Sequence, residues 1–290
     1  MKSKMSVIFL LWLILVSCDF NKSVSKDFIS DIFTKGDGLS CDDVYLSDGT
    51  DRINRNSFIY GEKFYLNFNN MEGFRKEEGF VFPGLQLLVL GTNGDTIMLE
   101  NDLYANNSNG FDISPLLLQT NLTVADPMHS NGNYKLLVQI WDKKGEGTFL
   151  ANMDFEVTPN TQIKIENNNI SYREIYLFSQ ERNICITDNE AKFNENIYLI
   201  FEGLEGFKTE AGIVSIGLSL KCKDSEGTLI LDEDDLIGDA EMEASELRER
   251  LAPNFIFSGS DIKNPVTCEV IIWDKKSNHS IKASVDLNIK

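Results

Sequence analysis

The chain reads as an all-β protein, built from two tandem homologous copies of an antiparallel, immunoglobulin-like β-sandwich with one short helix in each copy. Three observations predict this. Apolar and polar residues alternate with period two through several short runs, as in Phe64-Tyr65-Leu66-Asn67-Phe68 and Ile197-Tyr198-Leu199-Ile200-Phe201, which puts one face of each run in a core. Turn signals such as Asn93-Gly94 and Glu226-Gly227 separate those runs, as hairpins require. The tetrapeptide Trp141-Asp142-Lys143-Lys144 returns as Trp273-Asp274-Lys275-Lys276, each time closing an apolar run and opening a polar turn.

The repeat extends far beyond that tetrapeptide. Gly61-Glu62-Lys63-Phe64 aligns with Asn194-Glu195-Asn196-Ile197, and the register continues without gaps through Glu72-Gly73-Phe74 with Glu205-Gly206-Phe207, Gly84-Leu85 with Gly217-Leu218, and Asp102-Leu103 with Asp235-Leu236. The Trp-Asp-Lys-Lys segments then match after a single-residue shift. A period this long is a whole domain rather than a solenoid element. The copies are placed at about 39–160 and 169–290, joined through Thr158-Pro159-Asn160 and Asn167-Asn168-Asn169.

Taken from the start, the chain carries Lys2 and Lys4 and then an apolar run from Met5 to Val16, too short for the roughly 20 residues of a membrane span. That pattern reads as a secretory signal over 1–17. Leu15-Val16-Ser17-Cys18 resembles the lipobox of bacterial lipoproteins, which implies cleavage before Cys18 and its lipidation. Multiple acyl chains on Cys18 would anchor the protein stably. The wealth of Asn, Lys, Ile and Phe resembles AT-rich genomes of the Bacteroidota type. Asp19-Phe20-Asn21-Lys22 is a poor match to the acidic surface-export signal of that group, so the expectation is an outer-membrane anchor with periplasmic or surface face open. Asp95-Thr96-Ile97 resembles a short O-glycosylation motif of the same phylum. Residues 18–38 read as a lipid-anchored tether, with Phe28, Ile29, Ile32 and Phe33 spaced for an amphipathic turn and Gly36 and Gly38 ending it.

Within the copies, Leu85, Leu87 and Val89 form one strand and Leu218, Leu220 and Cys222 its counterpart. Ala151, Met153, Phe155 and Val157 make a final strand, matched by Ala283, Val285, Leu287 and Ile289. Ser114-Pro115 is a suitable N-cap and first helical position. The corresponding helix in the second copy runs from Ser245 to Leu251 and stops before Pro253.

A formal charge of −18 and a pI near 4.5 repel phosphate backbones, whose binding depends on Lys and Arg. Nucleic-acid binding is therefore excluded, and the same charge argues against direct docking to anionic lipid. Cys41, Cys185, Cys222 and Cys268 show no Cys-x-x-Cys spacing, which argues against a thiolate zinc site. Cys222 and Cys268 align with Val89 and Leu136, so they are core residues or a bridge between facing strands. His129 and His279 lie in polar, turn-like stretches beside Ser130 and Ser280, and no catalytic motif accompanies them. Asp232-Glu233-Asp234-Asp235, with Asp224, Glu226 and Asp239, is the densest acidic stretch, but its spacing is not that of an EF-hand.

The functional expectation is a non-catalytic envelope lipoprotein without cofactor or metal, presenting its two sandwiches for protein interaction or scaffolding. The alternative is a glycan-binding lipoprotein that uses Trp141 and Trp273 as aromatic platforms. In either case Trp141 and Trp273 sit at strand ends, out of phase with the core stripe. With Lys143, Lys144, Lys275 and Lys276 they are the candidate contact residues for an envelope protein or glycan.

Overall fold

A computed structural model describes residues 22–26, 31–259 and 261–290. The expected signal peptide and Cys18 lie outside the described residues. Among the described residues the architecture is nearly all β, with several antiparallel sheets and no barrel.

In the first half the strands are β1 (Lys22–Lys26), β2 (Phe33–Asp37), β3 (Ser40–Ser47), β4 (Arg52–Ile53), β5 (Ser57–Ile59), β6 (Lys63–Glu72), β7 (Pro83–Gly91), β8 (Thr96–Glu100), β9 (Leu118–Thr123), β10 (Gly132–Asp142) and β11 (Thr148–Thr158). One sheet runs β1-β2-β11-β10-β7-β8, with β5 parallel on β11. The facing sheet runs β4-β3-β6-β9. Phe64, Leu66 and Phe68 from one sheet and Leu85, Leu87, Val89, Ala151, Met153, Phe155 and Val157 from the other fill the core between them, so the period-two reading places each of these side chains correctly. The β7–β8 turn contains Gly94 at φ +81°, a conformation that costs glycine nothing.

The second half repeats this plan with β12 (Lys164–Asn168), β13 (Glu174–Ser179), β14 (Ile184–Ile186), β15 (Glu190–Ala191), β16 (Ile197–Glu202), β17 (Thr209–Glu210), β18 (Ile213–Val214), β19 (Ile216–Lys223), β20 (Leu229–Glu233), β21 (Met242–Glu243), α1 (Ala244–Glu249), β22 (Asn254–Phe255), β23 (Val266–Asp274) and β24 (Ser280–Ile289). Its large sheet is β12-β24-β23-β19-β20 with β15 parallel on β24, and its second sheet is β14-β13-β16-β22. Strands β17, β18 and β21 form a small third sheet. Its core spans Ile163 to Ile289.

Three local expectations are corrected. The described residues of the first half contain no helix: after a cis Ser114-Pro115 peptide, Leu116 and Leu118 are buried while Leu117 is 59 % exposed. That period of two feeds directly into β9, and the Leu116 carbonyl accepts the Met71 N–H. Sheet pairing thus claims the backbone groups that a helix would have used. The second half does hold a helix, α1, but it ends before Leu251, which bridges instead to Phe201. At the start of the chain, Phe33 opens a strand instead of ending an amphipathic turn. Ile32 is buried in the first core, β2 pairs with β11, and β1 pairs with β2.

The two halves are docked through one sheet face. In β13 and β16, Leu177, Leu199 and Phe201 point into their own core, while the alternate residues Tyr176 and Ile200 are buried in the first half's core. Phe178, Tyr198 and Cys185 pack alongside them. This explains why β13 and β16 read as nearly continuous apolar runs: both of their faces are covered.

Candidate functional site

The repeated Trp-Asp-Lys-Lys segment is built the same way twice. Trp141 lies opposite Gly84 and Trp273 opposite Gly217 on the neighbouring strand. A β-carbon on either glycine would fall 2.1 Å from the facing indole, so each ring lies flat across a glycine on the outer face of its own sheet. Both rings are half-buried.

The aspartates that follow are buried and tie loops together. Asp142 accepts the Arg75 N–H through Oδ2 at 2.7 Å and the Lys144 N–H through Oδ1 at 2.9 Å. Asp274 accepts the Lys208 and Lys276 N–H groups at 2.7 and 2.8 Å and the Ser277 hydroxyl at 2.7 Å. Burial alone would raise the Asp274 pKa, but these donors outweigh it and hold the carboxyl below its ordinary value.

All four lysines have acidic partners. Lys143 reaches Asp102 and Lys275 reaches Asp235, each at 2.7 Å; Lys144 pairs with Glu77 and Lys276 with Glu210, each at 2.8 Å. Asp102 and Asp235 also accept the N–H groups of Leu85 and Leu218 at 3.2 Å. Each segment therefore clamps the strand-to-strand loops of one sandwich end. The structure gives the lysines internal partners and leaves only part of each indole open to a ligand.

A second cluster, not anticipated from sequence, sits where the halves meet. Glu174 is 2 % exposed and accepts both the Ser130 N–H and its hydroxyl at 2.7 Å, with His129 Nδ1 3.8 Å away. Desolvation raises the Glu174 pKa. Glu202, 5 % exposed, accepts the Tyr176 hydroxyl at 2.8 Å and guanidinium N–H groups of Arg173 and Arg250 at 3.2 Å. The Tyr60 ring lies 5.2 Å from that of Tyr176, and burial pushes its hydroxyl up to about 12. Beside the cluster is a cleft of about 460 Å³ lined by Ser130, Asn160, Lys164, Tyr172, Arg173 and Glu174. The Ser130 hydroxyl points at a carboxylate rather than at an imidazole, so His129 and Ser130 do not form a nucleophile–base pair.

The remaining candidates are dispersed. His279 donates from Nδ1 to the Gly206 carbonyl at 2.6 Å. In the acidic stretch, Asp232 and Asp234 pair with Lys221 at 3.0 and 3.2 Å, and Asp224 caps its own turn through the Glu226 and Thr228 N–H groups. Among the described residues no three His, Cys, Asp or Glu side chains converge on a point suited to a metal ion. Thr96 is exposed at the start of edge strand β8. Cys41 donates to the Asn69 carbonyl at 3.2 Å, and Cys185 packs against Gly61 across the junction. Burial pushes both thiols up to about 11.

The junction had a sequence signal. In the outward phase the first copy carries Tyr45, Ser47, Tyr65 and Asn67, whereas the second carries Tyr176, Phe178, Tyr198 and Ile200. The strand pairings confirm the equivalence: Tyr45 faces Asn67 and Ser47 faces Tyr65, as Tyr176 faces Ile200 and Phe178 faces Tyr198.

No protein-family model matches the chain, and no curated protein matches it. Among solved structures, pT26-6p is similar at a TM-score of 0.26 and 9 % identity, over 89 % of this chain and 64 % of that one. A calcium-binding mutant of Bacteroides uniformis beta-glucuronidase 2 is similar at 0.25 and 9 %, over 77 % of this chain and 26 % of that one. A DUF3823 family protein from Bacteroides ovatus is similar at 0.21 and 12 %, over 75 % of this chain and 93 % of that one. The chain thus spans less than two thirds of the length of the first two, and likenesses this weak carry no function to it.

Proposed function

We propose that this chain is a non-catalytic envelope lipoprotein, held to a membrane through lipid on Cys18, that presents two docked β-sandwiches for protein interaction or scaffolding. The observation that supports it most is the junction. The face of β13 and β16 that in the first half is polar has become apolar in the second and is used to fix one sandwich on the other. A rigid pair of sandwiches offers a partner an extended surface whose geometry is set in advance, which lowers the ordering cost of binding. The anchor rests on the lipobox-like Leu15-Val16-Ser17-Cys18, and the outer-membrane address on the Bacteroidota-like composition and the residues after Cys18.

Metabolic labelling with a clickable fatty acid tests the anchor: wild type incorporates label and Cys18→Ser does not. Equal labelling of the two would remove the lipoprotein reading. Cross-linking in intact envelopes, followed by co-purification, tests the scaffold role, for which a stoichiometric protein partner is expected. Retention on a polysaccharide column that is lost in Trp141→Ala and Trp273→Ala would instead support glycan binding.

A further inference from the structure

Cys222 and Cys268 are directly opposed on the adjacent antiparallel strands β19 and β23, with no residue of register between them. Opposed residues on antiparallel strands have Cα atoms about 4.5 or 5.5 Å apart, and both spacings fall inside the window of roughly 4.4–6.8 Å that a disulfide bridges. The two sulfur atoms lie 3.1 Å apart, and both side chains are 0 % exposed. The equivalent pair in the first half, Val89 and Leu136, is opposed in the same way, so the fold does not need sulfur here. Substitution of both members of one cross-strand pair by cysteine is what a bond between them requires.

We propose that Cys222 and Cys268 form an intrachain disulfide that locks β19 to β23 in the second half only. The oxidant is an external disulfide of the thiol–disulfide exchange class. The Cys222 thiolate attacks one of its sulfurs and releases one external thiolate. The Cys268 thiolate then attacks Cys222 Sγ in the mixed disulfide, forming the Cys222–Cys268 bond and expelling the second external thiolate. The chain loses two protons and two electrons, and the external disulfide gains both as two thiols. Burial and the neighbouring Cys222 hold the Cys268 thiol in its protonated form once the sheet is closed. Exchange therefore takes place while β19 and β23 are still open, and the finished bond is shielded from reductant.

The proposal rests on the envelope reading only for where the oxidant is met, so the deciding experiment leaves the compartment out. The full chain is unfolded with reductant, then refolded in a buffer of glutathione and its disulfide. It is next blocked with an alkylating agent in denaturant and mapped by mass spectrometry without reduction. A linked Cys222–Cys268 peptide pair is expected, with Cys41 and Cys185 alkylated as internal controls. Recovery of Cys222 and Cys268 as alkylated thiols, or joined to glutathione, overturns the proposal. The same map on protein taken from cells reports the compartment separately: thiols there, with the bond formed on refolding, would fault the envelope reading and leave this one standing. Closing a loop of this length shifts the unfolding equilibrium of the second half roughly a thousandfold. Reductant should thus lower the urea midpoint of wild type and leave that of the Cys222→Val, Cys268→Leu double variant unchanged. An equal response in both would also count against the bond.

Discussion

A β-carbon placed on Gly84 or Gly217 would lie 2.1 Å from an atom of the facing indole, so at these positions the absent side chain makes room for the ring. Gly217→Ala is expected to destabilise the second half by about 1–3 kcal/mol, the usual cost of overpacking, measured as a fall in urea midpoint. A variant as stable as wild type would show that the glycine–indole contact carries no weight. The neighbouring lysine pair gives a pH prediction. The Lys275 ammonium, with N–H groups of Leu218, Ile237 and Gly238, lowers the Asp235 pKa from 3.8 to about 2. A carboxyl with a depressed folded pKa contributes stability that is complete above its unfolded value and is lost as pH falls through the folded one. Between about pH 4 and 2 wild type should therefore lose stability more steeply than Asp235→Asn, as read from urea midpoints at each pH. Parallel curves would reject the pairing. Glu174 acts in the opposite sense, because burial raises its pKa: its contribution is present at low pH and fades as pH rises through the raised value.

Among the elements, the hairpin of β1 and β2 matters most for solution behaviour. β2 pairs with Thr148–Asn152 of β11 and places Ile32 in the core. Its removal would bare a strand edge, which is a template for pairing with another chain. Deletion of residues 19–37 is expected to lower the stability of the first half and to promote association, seen by size-exclusion chromatography and urea unfolding. A monomer of wild-type stability would mean that the hairpin is dispensable. The absence of a helix at Ser114-Pro115 belongs to this scale too. Three leucines in a row suit a helix or a strand equally, and β6 offers β9 a partner along Phe64–Phe68.

For the whole molecule, the consequence of docking is cooperativity. Tyr176 and Ile200 are buried in the other half's core, so the halves should unfold together in one calorimetric transition. Replacing both with Ser leaves each half its own core but removes the joint, and two transitions are expected. A single transition in the double variant would show that the junction does not couple them. An isolated second half, taken from 160 to 290 so that it keeps Ile163 and β12, would expose Tyr176, Phe178, Tyr198 and Ile200 on one sheet face, a patch that favours self-association. The same four positions in the first half carry Tyr45, Ser47, Tyr65 and Asn67, and there the Arg52 guanidinium covers Tyr45 at 3.8 Å while Asn67 bonds to Ser47 and Gln119. That face is closed by its own polar contacts, with Ser47 and Asn67 buried beneath them.

Alternation by itself determined the β class, the core residues of the long strands and the repeat register, because each strand's inward phase is written locally in residue type and spacing. The turns at Gly94 and Gly227 were legible for the same reason: a positive φ at a tight turn is a property of one residue. The acidic partners of Lys143 and Lys275 come from sequence positions about 40 away, at Asp102 and Asp235, and no local pattern announces them. The tertiary structure alone decided that the Trp-Asp-Lys-Lys segments are clamps with internal partners, that Glu174 meets Ser130 across the junction while Glu202 gathers Arg173 and Arg250 beside it, and that Cys222 faces Cys268. Each of those facts depends on which strands become neighbours. That choice is made by burial summed over the whole sheet pair rather than by any single stretch of chain.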